Sequence, residues 1–228
     1  MFQRDFILRM IEQFVKVIAK VLLNKEAGNY DSALDEIQKS YSGIFGIDKE
    51  LISVSSAEEI ISLLKLRGKD KPKVFLMLAE FLKEEAKIHK SIGDVSKDKI
   101  DDTNCKSLSL YWEAVLNSDE VQSDENYEKI NALLKETEGI RMMPGLSIKV
   151  LRYFELIGEY DKAENVLFEL IESSPSQAAL EGERLFRSLN SKSDEDLLKG
   201  NFSREEIEQG RTELDKRIKN VTGTSRSW

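Results

Sequence analysis

The sequence predicts an all-α protein built from irregular, stacked antiparallel helical hairpins in one domain. Apolar residues recur at intervals of three and four over most of the chain, which is the period of a helix with one buried face. Only 3 of the 228 residues are proline, and 33% are charged. No window alternates apolar and polar residues for long enough to indicate a strand. Long helices with solvated polar faces account for all of these observations.

Composition and charge limit the classes of partner. The chain has 34 Lys and Arg against 42 Asp and Glu, which gives a formal net charge of -8. A nucleic-acid binder needs a basic face to neutralise phosphates, so we expect no nucleic-acid partner. Cys105 is the one cysteine, which excludes an intramolecular disulfide and a CxxC zinc or redox site.

The first predicted helix covers "FQRDFILRMIEQFVKVIAKVLL" and has an unusually wide apolar face. On a helical projection its charged residues form one narrow stripe, and apolar residues fill roughly two-thirds of the circumference. One neighbouring helix cannot cover such a face. Three alternatives follow: a central helix wrapped by later helices, a dimer interface, or a membrane-surface helix. The stripe consists of Asp5, Arg9, Glu12, Lys16 and Lys20.

The same charged stripe bears on location. A signal peptide needs an uninterrupted apolar core, and a membrane span needs about 20 mostly apolar residues. The five charged residues interrupt the N-terminal run, so neither pattern is present. We therefore expect a cytoplasmic protein, and we do not expect membrane contact.

The clearest helical hairpin lies between Leu146 and Pro175. Gly158 ends a first helix, because glycine can take the left-handed conformation that closes a helix. Asp161 is the expected cap of a second helix, which ends before Pro175. Ala163 is small enough to let the two helices approach closely. The apolar positions of the pair are Leu146, Val150, Leu151, Phe154, Ile157, Leu167, Leu170 and Ile171.

The order Gly-x-Tyr-x-x-Ala at the start of that second helix resembles the second half of a tetratricopeptide repeat. Two weaker copies occur elsewhere. One has Gly28, Tyr30 and Ala33 at the same spacing, with Gly43 as the expected stop. The other has Ser107, Tyr111 and Ala114 after a helix predicted from Pro72 to about Lys90. Three hairpins are about the minimum at which stacked repeats bury a continuous core.

The other segments also have helical patterns. Ser56 with Glu59, and Ser203 with Glu206, form capping boxes at two helix starts. The segments "NYEKINALLKE" and "SQAALEGERLFRSL" each present one apolar face. We predict linkers near 44–56, 92–104 and 117–125. These are short enough for one all-helical, repeat-like domain over 1–218, followed by a flexible C-terminal tail over 219–228.

Four stretches also indicate a family: "MFQRDFILRMIEQFVKVIAKVLL", "GNYDSALDEI", "VFLMLAEFLKEEAKI" and "GEYDKAENVLFELIE". Together they resemble an uncharacterised bacterial family of about this length, a domain of unknown function with repeat-like helices. The resemblance spans nearly the whole chain, and its N-terminal stretch is the most specific part. It implies a bacterial origin and an all-helical fold, and it implies no activity and no functional residues.

Residues that could support catalysis are few. His89 is the only histidine, so no histidine pair can hold zinc or iron. Neither His89 nor Cys105 lies in a strained turn or a Gly-rich loop, which favours an inert thiol over a Cys–His dyad. Nucleotide-binding motifs are absent, and the acidic clusters "SDEDLL" and "DDTN" are explained by helix capping. We predict no enzyme, no cofactor and no catalytic or metal site.

The predicted function is protein–protein or peptide interaction by a non-catalytic helical-repeat protein. The partner is a protein or peptide, or a second copy that associates through the N-terminal helix. The alternative is a small-ligand binder or an enzyme with its site in a helical-bundle cavity.

Three residues are the predicted partner-binding positions. Ile148, Arg152 and Glu155 are spaced i, i+4 and i+7 on one face of the helix before Gly158. The Arg152 guanidinium can hold a partner carboxylate with two parallel hydrogen bonds. The competing interpretation is that Arg152 pairs with a neighbour such as Glu155 on a solvated surface.

Overall fold

The computed structural model describes residues 2–69, 71–140 and 142–224, and all of the regular structure in these ranges is helical. The predicted all-α class is therefore confirmed. Contacts divide the chain into two compact units, Met1–Ile140 and Arg141–Trp228, called unit 1 and unit 2 below. A single domain over 1–218 stays a prediction.

Unit 1 is built around two long helices, α5 and α6, which pack along each other. Its largest fully buried side chains include Tyr41, Phe45, Phe81, Tyr111 and Trp112. The helices of unit 1 are α1 (Phe2–Glu26), α2 (Tyr30–Ser40), α3 (Lys49–Val54), α4 (Ala57–Leu66), α5 (Pro72–Ile92), α6 (Lys97–Val115) and α7 (Asp124–Glu136).

Both helical hairpins expected in this part of the chain are present as packed pairs, α1 with α2 and α5 with α6. Ala33 and Ala114, the small residues of the two repeat-like copies, are fully buried. The predicted capping box at the start of α4 is confirmed, because Ser56 and Glu59 each bond the other's backbone N–H.

Two parts of the sequence prediction for unit 1 are wrong. Gly43 does not stop a helix: the chain continues through a π-helical turn, Tyr41–Phe45, and ends at Gly46 with φ 70°. The left-handed glycine that ends the helix is Gly46, three positions after Gly43, because the π turn adds residues to the end of the helix. The linker expected over 44–56 contains α3, and α6 begins at Lys97 inside the linker expected over 92–104.

Unit 2 is a smaller group of helices around its own core. The hairpin predicted between Leu146 and Pro175 is confirmed: α8 and α9 pack as a pair, Gly158 has φ 80°, and Ala163 is fully buried. Leu167, Leu185 and Phe186 lie in the core that the later helices share. The helices are α8 (Pro144–Leu156), α9 (Tyr160–Ser173), α10 (Pro175–Asn190), α11 (Asp194–Lys199) and α12 (Arg204–Thr224).

Helix ends in unit 2 differ from the prediction in two places. The N-cap of α9 is Glu159, and Asp161 falls in the first turn instead of capping it. Helix α12 continues to Thr224, beyond the end expected near Ile218. Part of the predicted flexible tail is therefore helical, and residues 225–228 lie outside the described residues.

Two glycines set how closely the helices of unit 2 approach. A Cβ added to Gly182 on α10 would lie 2.3 Å from the Leu214 side chain. A Cβ added to Gly210 on α12 would lie 2.3 Å from a Glu164 carboxylate oxygen and 2.7 Å from the Phe186 ring. Helix α12 consequently packs with its backbone almost in contact with side chains of α9 and α10.

Candidate functional site

One side of α1 is fixed to the rest of unit 1. Met10 and Val21 are buried, and the Phe14 ring lies 5.1 Å from the Phe81 ring on α5, measured between centroids. Near the end of the helix the Lys25 ammonium group donates to Glu84, whose carboxylate is almost fully buried. These contacts fix the orientation of α1 about its own helix axis.

The other side of α1 is apolar and faces solvent. Leu8 is 50% exposed, Val15 is 56% exposed and Leu22 is 39% exposed. Helices α2 and α5 and the π turn pack against α1, and they leave this side uncovered. The alternative of a central helix wrapped by later helices is therefore wrong for this face. We call the residues Leu8, Ile11, Val15, Ile18 and Leu22 the outer stripe.

The spacing of the outer stripe is that of a coiled-coil seam. Its residues are separated by three and four in alternation, which matches the a and d positions of two successive heptads. Ile11 and Ile18, at the d positions, are partly buried at the edge of the stripe next to the other helices of unit 1. The a positions, Leu8, Val15 and Leu22, point away from those helices. The stripe can therefore accept a second helix without any change to the packing of α1 on unit 1.

Charged side chains flank the outer stripe. Arg9, Glu12, Lys16 and Glu26 are all exposed, and their signs are mixed along the helix. Lys20 lies further round, with its Nζ 3.6 Å from a Glu36 carboxylate oxygen. Such a polar rim beside an apolar strip is typical of interaction surfaces.

The predicted partner-binding residues lie on α8, in unit 2, and two of them take part in a network of ion pairs. Arg152 holds Glu181 of α10 through two bonds, Nε to Oε2 at 3.1 Å and Nη2 to Oε1 at 2.5 Å. Glu155 pairs with Arg184 at 2.7 Å, and Arg184 also bonds Glu181 at 2.8 Å. Burial raises the pKa of Glu181, but bonds from the two arginines outweigh burial and hold it below its ordinary value.

The bidentate contact expected of Arg152 is thus made inside the chain, to α10 and not to Glu155. Ile148 packs against the core of unit 2. Partner binding by Ile148, Arg152 and Glu155 stays a prediction. Sequence spacing placed the three residues on one face of α8. It could not show that Glu181 of α10 packs against that face and accepts the hydrogen bonds of Arg152.

Unit 1 also contains a pocket between α2, the π turn, α3, α5 and α6. Its cavity volume is about 90 Å³, and it is partly open to solvent. Its charged and titratable lining residues are Tyr41, Lys49, Glu85, His89, Lys99, Asp102 and Lys106. No sequence motif indicated this pocket, because its residues come from positions up to about 70 apart and meet only in the folded unit.

A chain of polar contacts crosses the α5 wall of the pocket. The buried Tyr41 hydroxyl donates to Glu85, and burial together with this carboxylate raises the pKa of Tyr41 well above its ordinary value. His89 Nε2 lies 3.8 Å from Glu85, and its Nδ1 lies 2.7 Å from Asp94. Glu85 and Asp94 raise the pKa of His89, against a smaller opposing effect of burial.

Cys105 and the acidic side chains are further groups with possible chemistry. Burial, helped by Asp102 and Asp101, raises the pKa of the Cys105 thiol to about 11, so the thiolate is scarce at neutral pH. In the described ranges, no three His, Cys, Asp or Glu residues are grouped to hold a metal ion. None of the described helices combines the length and apolar character needed to cross a membrane.

Comparison with models of known protein families gives a match. The model of a family described as a family of unknown function (DUF6483) matches residues 1–219. The resemblance to an uncharacterised family is therefore confirmed. No curated protein and no solved structure matches the chain significantly.

Proposed function

The chain belongs to the DUF6483 family, whose description names no activity, and we propose that it is a non-catalytic helical protein that acts by protein–protein interaction through α1. The occupant of the outer stripe is a second copy of the same chain. The proposal includes a tetratricopeptide-like character for the helical hairpins, a bacterial origin and a cytoplasmic location. The function therefore depends on self-association, with unit 2 as a separate surface for a protein or peptide.

The observation that supports the proposal best is the exposure of the outer stripe. Soluble monomers seldom leave a contiguous apolar strip uncovered, and such strips usually mark interaction sites. Three of its five residues are exposed by 39% or more. Leu23, the residue after Leu22, is also exposed, by 67%, and lies among the charged residues beside the stripe. Burying these side chains against another helix removes apolar surface from water, which favours association.

The pattern favours a second copy over an unrelated partner because the stripe is complementary to itself. In an antiparallel pair, Ile11 faces Leu22 of the second copy, and Val15 faces Ile18 of the second copy. This pairing follows the a-to-d layers of an antiparallel coiled coil. The same residues are used on both sides, as a two-fold symmetric dimer requires.

The charged rim fits the same arrangement. The same antiparallel alignment brings Arg9 near Glu26 of the second copy. Both side chains are exposed and free to turn towards a partner helix. Rim charges of opposite sign contribute little affinity, but they disfavour the wrong orientation.

We predict that Val15→Glu weakens self-association, because it places a charge at the centre of the apolar seam. Sedimentation velocity over a hundredfold range of concentration should show a monomer–dimer equilibrium for the wild type. The variant should associate at least roughly tenfold more weakly. The matched control is Val54→Glu on α3, where the valine is 81% exposed and far along the chain from the stripe.

Val54→Glu should dimerise as the wild type does. A wild type that stays monomeric throughout would contradict the proposal, as would equal loss of dimer in both variants. A parallel flotation with anionic lipid vesicles tests the membrane-surface alternative. Binding of monomeric wild type to the vesicles, lost in Val15→Glu, would assign the outer stripe to a membrane and overturn the second copy as its occupant.

A further inference from the structure

The pocket in unit 1 is a small cleft that is partly open to solvent. Its cavity volume is about 90 Å³, which is room for several water molecules or one small ion. Buried side chains of Tyr41, Ile52 and Leu82 form an apolar floor that belongs to the core of the unit. Five separate elements contribute to the lining, so the pocket exists only when unit 1 is folded.

Some of the charged groups in the pocket already have partners. Lys106 is buried, and its ammonium group uses all three donors: the backbone oxygens of Ile52 and Ser53 at 3.2 and 3.1 Å, and Asp102 at 2.8 Å. Lys106 therefore holds the end of α3 in place and cancels the charge of Asp102. Glu85 is likewise occupied, by the Tyr41 hydroxyl and by His89.

Two cations at the mouth of the pocket are not compensated. Lys49 on α3 and Lys99 on α6 are exposed, and neither forms an ion pair with the described residues. They lie on different walls, so their ammonium groups can converge on one bound group. In a chain with a net charge of -8, this is a local excess of positive charge. Such a charge distribution attracts an anion.

We propose that this pocket binds a small anion through a carboxylate or phosphate group held between Lys49 and Lys99. Gln38 and Ser53 also line the pocket and can donate neutral hydrogen bonds to the same oxygens. Oxyanions suit these donors because each oxygen accepts several hydrogen bonds, and bonds from charged groups are the strongest. The site lies in unit 1 but does not include the outer stripe, so it is a function additional to self-association.

The protonation of His89 sets the pH dependence of this site. The groups that face His89 and the bound anion are Tyr41 from the π turn, Lys49 from α3, Glu85 from α5, Asp94 after α5, and Lys99, Asp102 and Lys106 from α6. A protonated His89 neutralises Glu85, the carboxylate that otherwise repels the ligand. Anion affinity should therefore rise as pH falls through the pKa of His89, which lies above its ordinary value of 6.5.

The test is calorimetric titration of the full chain with inorganic phosphate and, separately, with succinate, at constant ionic strength set by chloride. At least one probe should bind. Each of Lys49→Gln and Lys99→Gln should weaken binding roughly tenfold, because each removes one charged hydrogen bond. Both lysines are exposed, so the variants should fold normally. The control is Lys135→Gln, which changes an exposed lysine on α7 outside the pocket and should leave affinity unchanged.

Binding of phosphate alone assigns a phosphate-bearing ligand, and binding of succinate alone assigns a carboxylate. The proposal is overturned if neither probe binds. It is also overturned if Lys135→Gln weakens binding as much as Lys49→Gln and Lys99→Gln do. After correction for the probe's own protonation, His89→Gln should remove the rise in affinity as pH falls through the pKa of His89, and a persisting rise would exclude His89 as its cause. The α1 variant Val15→Glu should bind the probe normally, which separates the failure of this site from the failure of self-association.

Discussion

Glu164 on α9 is a carboxyl group with an unusual environment. It is half buried, and one of its oxygens lies against the backbone of α12 at Gly210. Burial, with a further contribution from the nearby charge of Glu206, raises its pKa to about 7, and Arg217 offsets only part of this. A carboxyl group in such a place holds its proton in the folded state at a pH where the unfolded chain has released it.

This shift predicts a pH-dependent stability that Glu164→Gln removes. The folded pKa, about 7, lies above the ordinary value of 4.5, so stability falls as pH rises between these values and stays lower above them. We expect the wild type to lose about 1–3 kcal/mol of unfolding free energy from pH 5 to pH 8, after allowance for partial solvation. Glu164→Gln should lose correspondingly less. Urea denaturation across this pH range measures the difference.

The control for this prediction is Glu169→Gln, which changes an exposed carboxylate on the same helix. Its pH profile should follow the wild type. Parallel profiles for wild type and Glu164→Gln would contradict the assignment of the pH effect to this group.

Residue-level partners were the least predictable feature of the molecule. The sequence marked Arg152 as a bidentate donor, and the structure shows that geometry with Glu181, 29 positions away. The pair Lys25 and Glu84 is separated by 59 positions. Side-chain periodicity assigns a residue to a face of its own helix, but the partner depends on which other helix covers that face.

The sequence predicted helices best where the residues that end them or let them cross lie within a few positions of one another. Gly158 and Ala163 fixed the α8–α9 hairpin because a left-handed stop and a small crossing residue act within a few positions. The π turn after α2 was missed, since a change from four- to five-residue hydrogen bonding leaves no mark in apolar spacing. For α1 the sequence revealed a wide apolar arc, but not that α2 and α5 cover only one side of it.

Helix α12 provides a prediction at the scale of elements. Gly210→Ala should destabilise unit 2 by about 1–3 kcal/mol, because the added Cβ would lie 2.7 Å from the buried Phe186 ring. This outcome is opposite to the intrinsic preference of a helix for alanine, about 1 kcal/mol. The measurement is the urea midpoint of the far-ultraviolet circular dichroism signal.

Gly223→Ala is the matched control on the same helix, since no described atom lies within 4 Å of its added Cβ. It should leave stability unchanged or raise it slightly. If both variants behaved alike, close packing of α12 against α9 and α10 would be refuted.

At the scale of the whole molecule, the all-α class predicted from the sequence is confirmed, and the single domain over 1–218 stays a prediction. Continuous periodicity and short linkers favoured one domain over 1–218. Contacts within the chain form two groups, Met1–Ile140 and Arg141–Trp228, and each group has its own buried core. Linker length does not decide whether such groups are separate domains, because the number of contacts across a boundary depends on tertiary packing and not on the local sequence.

Two separate cores predict that the units unfold in separate transitions. Trp112, fully buried on α6, reports on unit 1, and replacing Trp228 with Phe makes it the only tryptophan of the chain. In that background, Gly210→Ala should lower the urea midpoint of part of the circular dichroism signal while the fluorescence midpoint of Trp112 stays unchanged. A two-state domain requires coincident transitions by both probes. If Gly210→Ala shifted both midpoints equally, the chain would unfold as the single domain over 1–218 that its sequence suggests, and the separate cores would have no thermodynamic independence.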